Sequence, residues 1–252
     1  MSIPISSTPT ITPTKPADPV FYPETDGKPM GESEWHVIAT LYLLSALRNF
    51  FAARSDIYVI ADMFMYYEEG NPSASKAPDV MVVKNIEQRK RRIFKVWEEG
   101  AVPCMIIEVT SKSTWAEDTI RKSSLYARLG VTEYFLFDPL HEYMDDQFMG
   151  FRLEDGEYIP LEPADDGSIF SQELEVILRP DGDLLRVINP ATNRIVPGME
   201  ETYTYAEESQ ALAEQSQALA EQEAQRAQAA EAELERLRAE LAQLRAQQRH
   251  QD

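Results

Sequence analysis

One cysteine, Cys104, among 252 residues excludes an internal disulfide framework, and such a chain reads as a resident of a reducing compartment. Histidine is scarce too. His36, His141 and His250 are scattered, and with a single cysteine they cannot assemble a zinc site. There is no glycine-rich phosphate loop and no G-x-S-x-G elbow, which removes the commonest nucleotide-binding and serine-hydrolase readings. No apolar run approaches the ~20 residues a spanning helix needs. The first residues lack the charged-then-apolar order of a secretory signal, so the expected location is cytoplasmic. Positive charge is also in short supply: 24 Lys and Arg stand against 43 Asp and Glu, a net charge of −19. Residues 201–252 carry 11 acidic and 5 basic side chains, which leaves −13 on residues 1–200. A protein that grips nucleic acid over a broad basic face is therefore excluded, and any phosphate-binding surface has to be a local patch.

What remains is enough to build a core. Hydrophobic residues make up 43% of the chain, and a domain of roughly 150–180 residues buries about 70% of its unfolded surface without a metal or disulfide staple. Residues 1–19, rich in Ser, Thr and Pro, are expected to be disordered. A helix is expected from Glu32 to about Ala53, with Val37, Leu41, Leu44 and Leu47 at helical spacing. Tyr58 to Tyr67 reads as an aromatic and aliphatic strand. Asp79 to Val83 and Cys104 to Val109 are short, nearly continuous apolar runs, the pattern of strands covered on both faces. Asp118 to Leu129 reads as a helix ended by Gly130, and Tyr134 to Phe137 as a strand stopped by Asp138-Pro139. Phe148 to Ile188 reads as β-hairpins turning at Asp155-Gly156 and Asp181-Gly182. The fold class is α/β: a mixed sheet flanked by helices over residues 20–200, with added hairpins.

From about Tyr205 the composition shifts to Ala, Glu, Gln, Leu and Arg, without Pro or Gly. The heptad SQALAEQ runs twice in succession, at Ser209–Gln215 and Ser216–Gln222, and Leu234, Leu237, Leu241 and Leu244 keep a 3-4-3 spacing. That spacing is expected of a coiled-coil seam over residues 204–250 in a homo-oligomer, the alternative being a solvated single helix. Between Leu219 and Leu234 the register slips, with Arg226 on the seam.

Chemistry concentrates between residues 78 and 139. Glu108 interrupts Met105-Ile106-Ile107 and Val109 in a strand that should be central, where an unpaired carboxylate costs several kcal/mol. Asp79 opens the other apolar strand, after Pro78. If the two strands are neighbours, the carboxylates can share one divalent ion, Mg²⁺ or Mn²⁺, with oxygen ligands. Lys122, Leu125, Tyr126 and Leu129 fall at i, i+3, i+4 and i+7, so Lys122 belongs to the sheet-facing stripe of its helix, one turn after Asp118. A lysine held there can orient or deprotonate a water, or stabilise charge developing on a phosphate.

The Pro78-Asp79 dipeptide, the Glu108-Val109-Thr110-Ser111 run with Ser113-Thr114, the Asp118/Lys122/Tyr126 helix and the segment Gly130–Pro139 together resemble the Uma-type family of restriction endonucleases, a branch of the PD-(D/E)xK superfamily. The resemblance covers roughly residues 20–190. It implies a restriction-endonuclease-like fold, metal at Asp79 and Glu108, and hydrolysis of phosphodiester bonds in nucleic acid, DNA above all. The superfamily's lysine ordinarily lies two residues after the glutamate, where this chain has Thr110; in the Uma-type pattern it moves to the following helix, here Lys122. Lys112 is the rival position. An auxiliary acid on the first helix would be Glu32 or Glu34, and Asp118 is a further candidate.

Each residue also has a plainer reading. Asp79 could cap a turn, and Lys122 could be a surface lysine paired with Asp118. The run Arg89-Lys90-Arg91-Arg92 with Lys95 is either a solvated loop or the phosphate-facing patch, with Arg89, Arg91, Arg92 and Lys95 as its contacts. His36 reads as a helix residue near the sheet rather than a ligand, and Tyr126 as either core or site. At the level of the whole chain, the alternative to an endonuclease is a non-enzymatic scaffold that keeps the fold as a platform and recruits partners through its coiled coil.

Overall fold

The computed structural model describes residues 20–25, 32–111 and 117–248. The segment 1–19 and Lys112 lie outside them. The chain divides into two units, residues 1–196 and 197–252.

The first unit opens with helix α1 (Glu34–Phe50), N-capped by Ser33, whose hydroxyl accepts the His36 N–H. Its buried face is His36, Ala39, Thr40, Tyr42, Leu43, Ala46 and Leu47. The expected stripe is corrected here, because Val37 and Leu41 are exposed while Leu47 is buried. The small residues Ala39 and Ala46 let the helix approach the sheet closely, so the apolar periodicity of the larger side chains points to the wrong face. The expected strand over 58–67 is broken in two, β1 (Ile57–Ala61) and β2 (Met65–Tyr66), at Asp62, which sits at φ 49°. Next come β3 (Ser75–Lys76), β4 (Val80–Lys84), β5 (Phe94–Lys95), the one-turn helix α2 (Val96–Glu99) and β6 (Met105–Val109). A six-residue π-helical segment, Glu117–Lys122, leads into α3 (Ser123–Leu129), and Gly130 ends that helix at φ 85°. Strands β7 (Glu133–Phe137), β8 (Phe148–Glu154), β9 (Glu157–Pro160), β10 (Ile169–Ser171), β11 (Val176–Asp181), β12 (Leu184–Asn189) and β13 (Arg194–Ile195) complete the unit. The β8–β9 turn places both Asp155 and Gly156 at positive φ, as a two-residue hairpin matching strand twist demands.

The main sheet has the order β1-β4-β6-β7-β8-β9. Only β6 and β7 run parallel, joined through α3; the other neighbours are antiparallel. This is a mixed α/β fold with helices against the sheet. Alternation sends Val80, Val82, Met105, Ile107 and Val109 to the face covered by α1 and the small β10–β13 sheet, and Met81, Val83 and Ile106 to the face covered by α3. Strand β6 is buried throughout and β4 up to Val83, which is why they read as nearly continuous apolar runs.

Glu133 and Asp138 are fully buried but serve the architecture. Glu133 pairs with Arg152 at 2.9 Å and accepts from Ser171 and the Gln172 N–H, tying β7 to the loop after β10. Asp138 accepts three backbone N–H groups, from Leu140, Tyr143 and Met144, and so shapes the turn after β7. The second unit is one helix, α4 (Met199–Gln248), of 50 residues, about 75 Å long at 1.5 Å per residue. Leu212, Leu219, Leu234 and Leu237 are each at least half exposed along it. No helix among the described residues is long and apolar enough to cross a membrane.

Candidate active site

Strands β4 and β6 pair Val80 with Ile107. Continuing that antiparallel register by one residue sets Asp79 opposite Glu108, and alternation sends Glu108 to the α3 face with Ile106. Glu108 is completely buried. Its Oε2 accepts from Lys122 Nζ at 2.8 Å and its Oε1 from the Tyr126 hydroxyl at 2.8 Å. The two donors are four residues apart, one from the end of the π-helical segment and one from α3, so the same helical face delivers both. Lys122 is 13% exposed, which puts its ammonium at the rim of the core and away from bulk solvent.

Asp79 is held from two other directions. Its Oδ2 accepts the Val109 N–H at 2.7 Å, and its Oδ1 lies 3.3 Å from His36 Nε2. Burial alone would raise the Asp79 carboxyl, but His36, the Lys122 charge and the Val109 N–H outweigh it and hold the group below the usual carboxylate range. For His36 burial pulls downward, and the hydrogen bond and charge of Asp79, with the charges of Glu32 and Asp62, lift it above its ordinary value. Tyr126 is raised well above the usual tyrosine value by burial and by the Glu108 carboxylate it faces. The hydroxyl therefore stays protonated as a donor.

Two further residues belong to this cluster. His36, expected from sequence as a helix residue near the sheet, lies on the buried face of α1 and faces Asp79; its position among Ala39, Leu43 and Leu47 is the available signal. Asp62 interrupts an apolar run as Glu108 does. Its N–H donates to the Pro78 carbonyl at 3.1 Å, which brings the end of β1 beside Asp79. Partial desolvation and the Asp79 charge raise the Asp62 carboxyl. Of the auxiliary acids, Glu32 sits 3.7 Å from His36 Nδ1, while Glu34 is exposed on the first turn of α1. Asp118 falls within the π-helical segment, and its side chain lies outside the described residues.

The basic run is engaged by carboxylates. Arg89 and Arg91 share Glu99 at 2.8 Å, Arg92 pairs with Glu24, and Lys95 pairs with Glu98 at 2.8 Å. The Arg91 side chain is 2% exposed and lies over the Tyr58 ring, so it is part of the wall.

The arrangement offers hard oxygen donors from two facing strands, a lysine on one carboxylate and an imidazole on the other. Residues 26–179 match the family described as "Putative restriction endonuclease", Uma2. The chain belongs to that family. A solved structure described as a "putative nuclease belonging to DUF820" from Anabaena variabilis ATCC 29413 is similar at 17% identity, over 60% of this chain and 82% of that one, with a TM-score of 0.43. No curated protein matches the Uma2-family chain.

Proposed function

We propose that this Uma2-family protein is a divalent-metal-dependent endonuclease that hydrolyses phosphodiester bonds in nucleic acid, DNA in the first instance. The observation that carries the reading is Glu108: a fully buried carboxylate on a central strand, set against Asp79 by strand register and touched by Lys122. What separates it from the equally buried Glu133 is the second carboxylate, Asp79, that register sets across the strand pair. Among the described residues no group of three or more His, Cys, Asp and Glu side chains converges as a cation cage. Two carboxylates suit Mg²⁺ or Mn²⁺, which take one or two from the protein and complete their shell with water and substrate phosphate. Asp79 and Glu108 would hold the ion. The bound ion would supply a low-pKa water and charge neutralisation at the phosphate.

The chain's own groups divide the remaining work. Lys122 Nζ, beside Glu108 Oε2, orients the attacking water or stabilises charge developing on the phosphate. Tyr126 fixes the Glu108 rotamer from inside the core, and His36 with the Val109 N–H fixes Asp79; these are positioning residues. The auxiliary roles fall to Glu32 and Asp118, and self-association to α4, whose leucines at heptad spacing would pack against another copy. A second reading, a non-enzymatic scaffold, draws support from one observation: the Lys122 ammonium already neutralises Glu108, as a retired site would allow. A nuclease assay on DNA and RNA with Mg²⁺, with Mn²⁺ and with chelator decides between them. Cleavage that needs metal and is lost in Asp79→Ala and Lys122→Ala is the expected result; no cleavage under any of these conditions would favour the scaffold.

A further inference from the structure

Strand β1 is an edge of the main sheet, and a groove of about 540 Å³ runs along it, between the C-terminal end of α1 and residues 88–91. Its cationic lining is Arg48, Arg89, Lys90 and Arg91. Glu99 compensates Arg91 and one side of Arg89, and Glu87 lies 3.7 Å from Arg89. Arg48 and Lys90 are exposed, and among the described residues neither is paired with a carboxylate. Two uncompensated cations beside one groove stand out in a chain of net charge −19.

An open strand edge ordinarily invites another strand. Here that route is blocked: the Ile57 carbonyl accepts from Gln88 Nε2 at 2.7 Å and the Val59 carbonyl from Arg48 Nε at 3.1 Å. The Arg48 bond uses Nε and leaves both terminal nitrogens of its fork for an anion. The Tyr58 ring, the groove's candidate for stacking on a nucleobase, is already covered by Arg91. Single-strand binders stack bases on open aromatic faces, so the lining favours contact with a phosphate backbone alone. One end of the groove adjoins the carboxylate cluster in sequence. Tyr58 and Met63 line the groove, while Asp62, between them in sequence, belongs to the carboxylate cluster.

We infer that Arg48 and Lys90 hold the phosphodiester backbone of duplex DNA along β1. This rests on the nuclease reading for its substrate but not for its test. Fluorescence anisotropy of a labelled duplex, with the full chain in EDTA, gives affinity as a function of salt without cleavage. The pair Arg48→Gln/Lys90→Gln should weaken binding tenfold or more at low salt. It should also flatten the plot of log affinity against log salt by about 1.8, at ~0.9 for each phosphate no longer neutralised. The charge-matched pair Arg128→Gln/Arg194→Gln, on exposed positions elsewhere, should change affinity less than twofold. Equal slopes for the two pairs, a wild type that does not bind duplex, or tighter binding of single-stranded than of duplex DNA would each overturn the inference. Should loss of the Arg48–Val59 bond unfold the chain, Lys90→Glu carries the test alone: a slope lower by about 0.9 supports the groove and an unchanged slope overturns it. A protein that cuts DNA but keeps its slope in the groove variants retains the nuclease reading and loses this one. One that binds through the groove but never cuts does the reverse.

Discussion

Replacing Glu108 by Gln removes one charge from the centre of the molecule and keeps nearly all of its shape. In the metal-free protein Glu108 is fully buried, 2.8 Å from Lys122 Nζ and 2.8 Å from the Tyr126 hydroxyl. Breaking a buried ion pair from one side costs about 3–5 kcal/mol, because the surviving charge is left uncompensated. The lower end applies here: glutamine still accepts the tyrosine hydroxyl, and Lys122 is 13% exposed and still feels the Asp79 charge. A loss of about 3 kcal/mol lowers Tm by roughly 6–12 °C for a domain of this size. Metal enlarges the difference. An ion bound at Asp79 and Glu108 adds about 2.7 kcal/mol to the wild type at a hundredfold excess over Kd and little to the variant, so Mg²⁺ should widen the gap. Melting curves of wild type and Glu108→Gln, with Mg²⁺ and with EDTA, read all four states. If the metal-free variant melts at or above the wild type, the two carboxylates repel and the Lys122 pair does not govern the empty site. If the gap ignores Mg²⁺, Glu108 is structural.

Lys122→Met leaves Glu108 buried without its cation, so the metal-free protein should lose about 3 kcal/mol, Glu108→Gln/Lys122→Met should cost less than the sum of the single changes, and denaturant melts of the four proteins measure this coupling. The His36–Asp79 contact should set a pH window. The raised His36 contributes stability fully present below ~6.5 and lost as pH rises through its folded value, while the lowered Asp79 contributes stability present above ~3.9 and lost as pH falls through its own. His36→Gln should flatten the alkaline side of that curve in urea melts taken across pH, and an unchanged curve would rule the pair out as its cause. Burial pushes the Cys104 thiol up to about 12, so at pH 8 it should react with a disulfide reagent far more slowly in the folded protein than in urea; equal rates would contradict its placement beside Val82. Deleting residues 204–252 should lower the mass per particle in sedimentation beyond the residues removed and leave the first unit folded; an unchanged stoichiometry would mean α4 is not an association device.

The chain's order already carries much of the fold. Strands β4, β6 and β7 are legible because both of their faces are covered, and a strand with no solvated face cannot disguise itself with polar residues. Gly130 ends α3 because the left-handed turn there tolerates no side chain well. The face of α1 is not legible in the same way, since Ala39, Ala46 and His36 bury against the sheet by being small or paired, which hydrophobic periodicity does not register. The 58–67 run reads as one strand because nothing local says that Asp62 takes a left-handed backbone.

For the site, local sequence determined the residue types and their alternation: Glu108 inside an apolar strand, Lys122 and Tyr126 on one helical face, Asp79 at a strand start. Their meeting is a tertiary fact. Register between β4 and β6 sets Asp79 against Glu108, the start of α1 carries His36 to Asp79, and the bend after β1 brings in Asp62. The basic run illustrates the converse: its charges are plain in sequence, but their partners Glu24, Glu98 and Glu99 become partners only through folding. Periodicity is a one-dimensional property of each element, whereas ion pairing and strand register are relations between elements, and only packing fixes those.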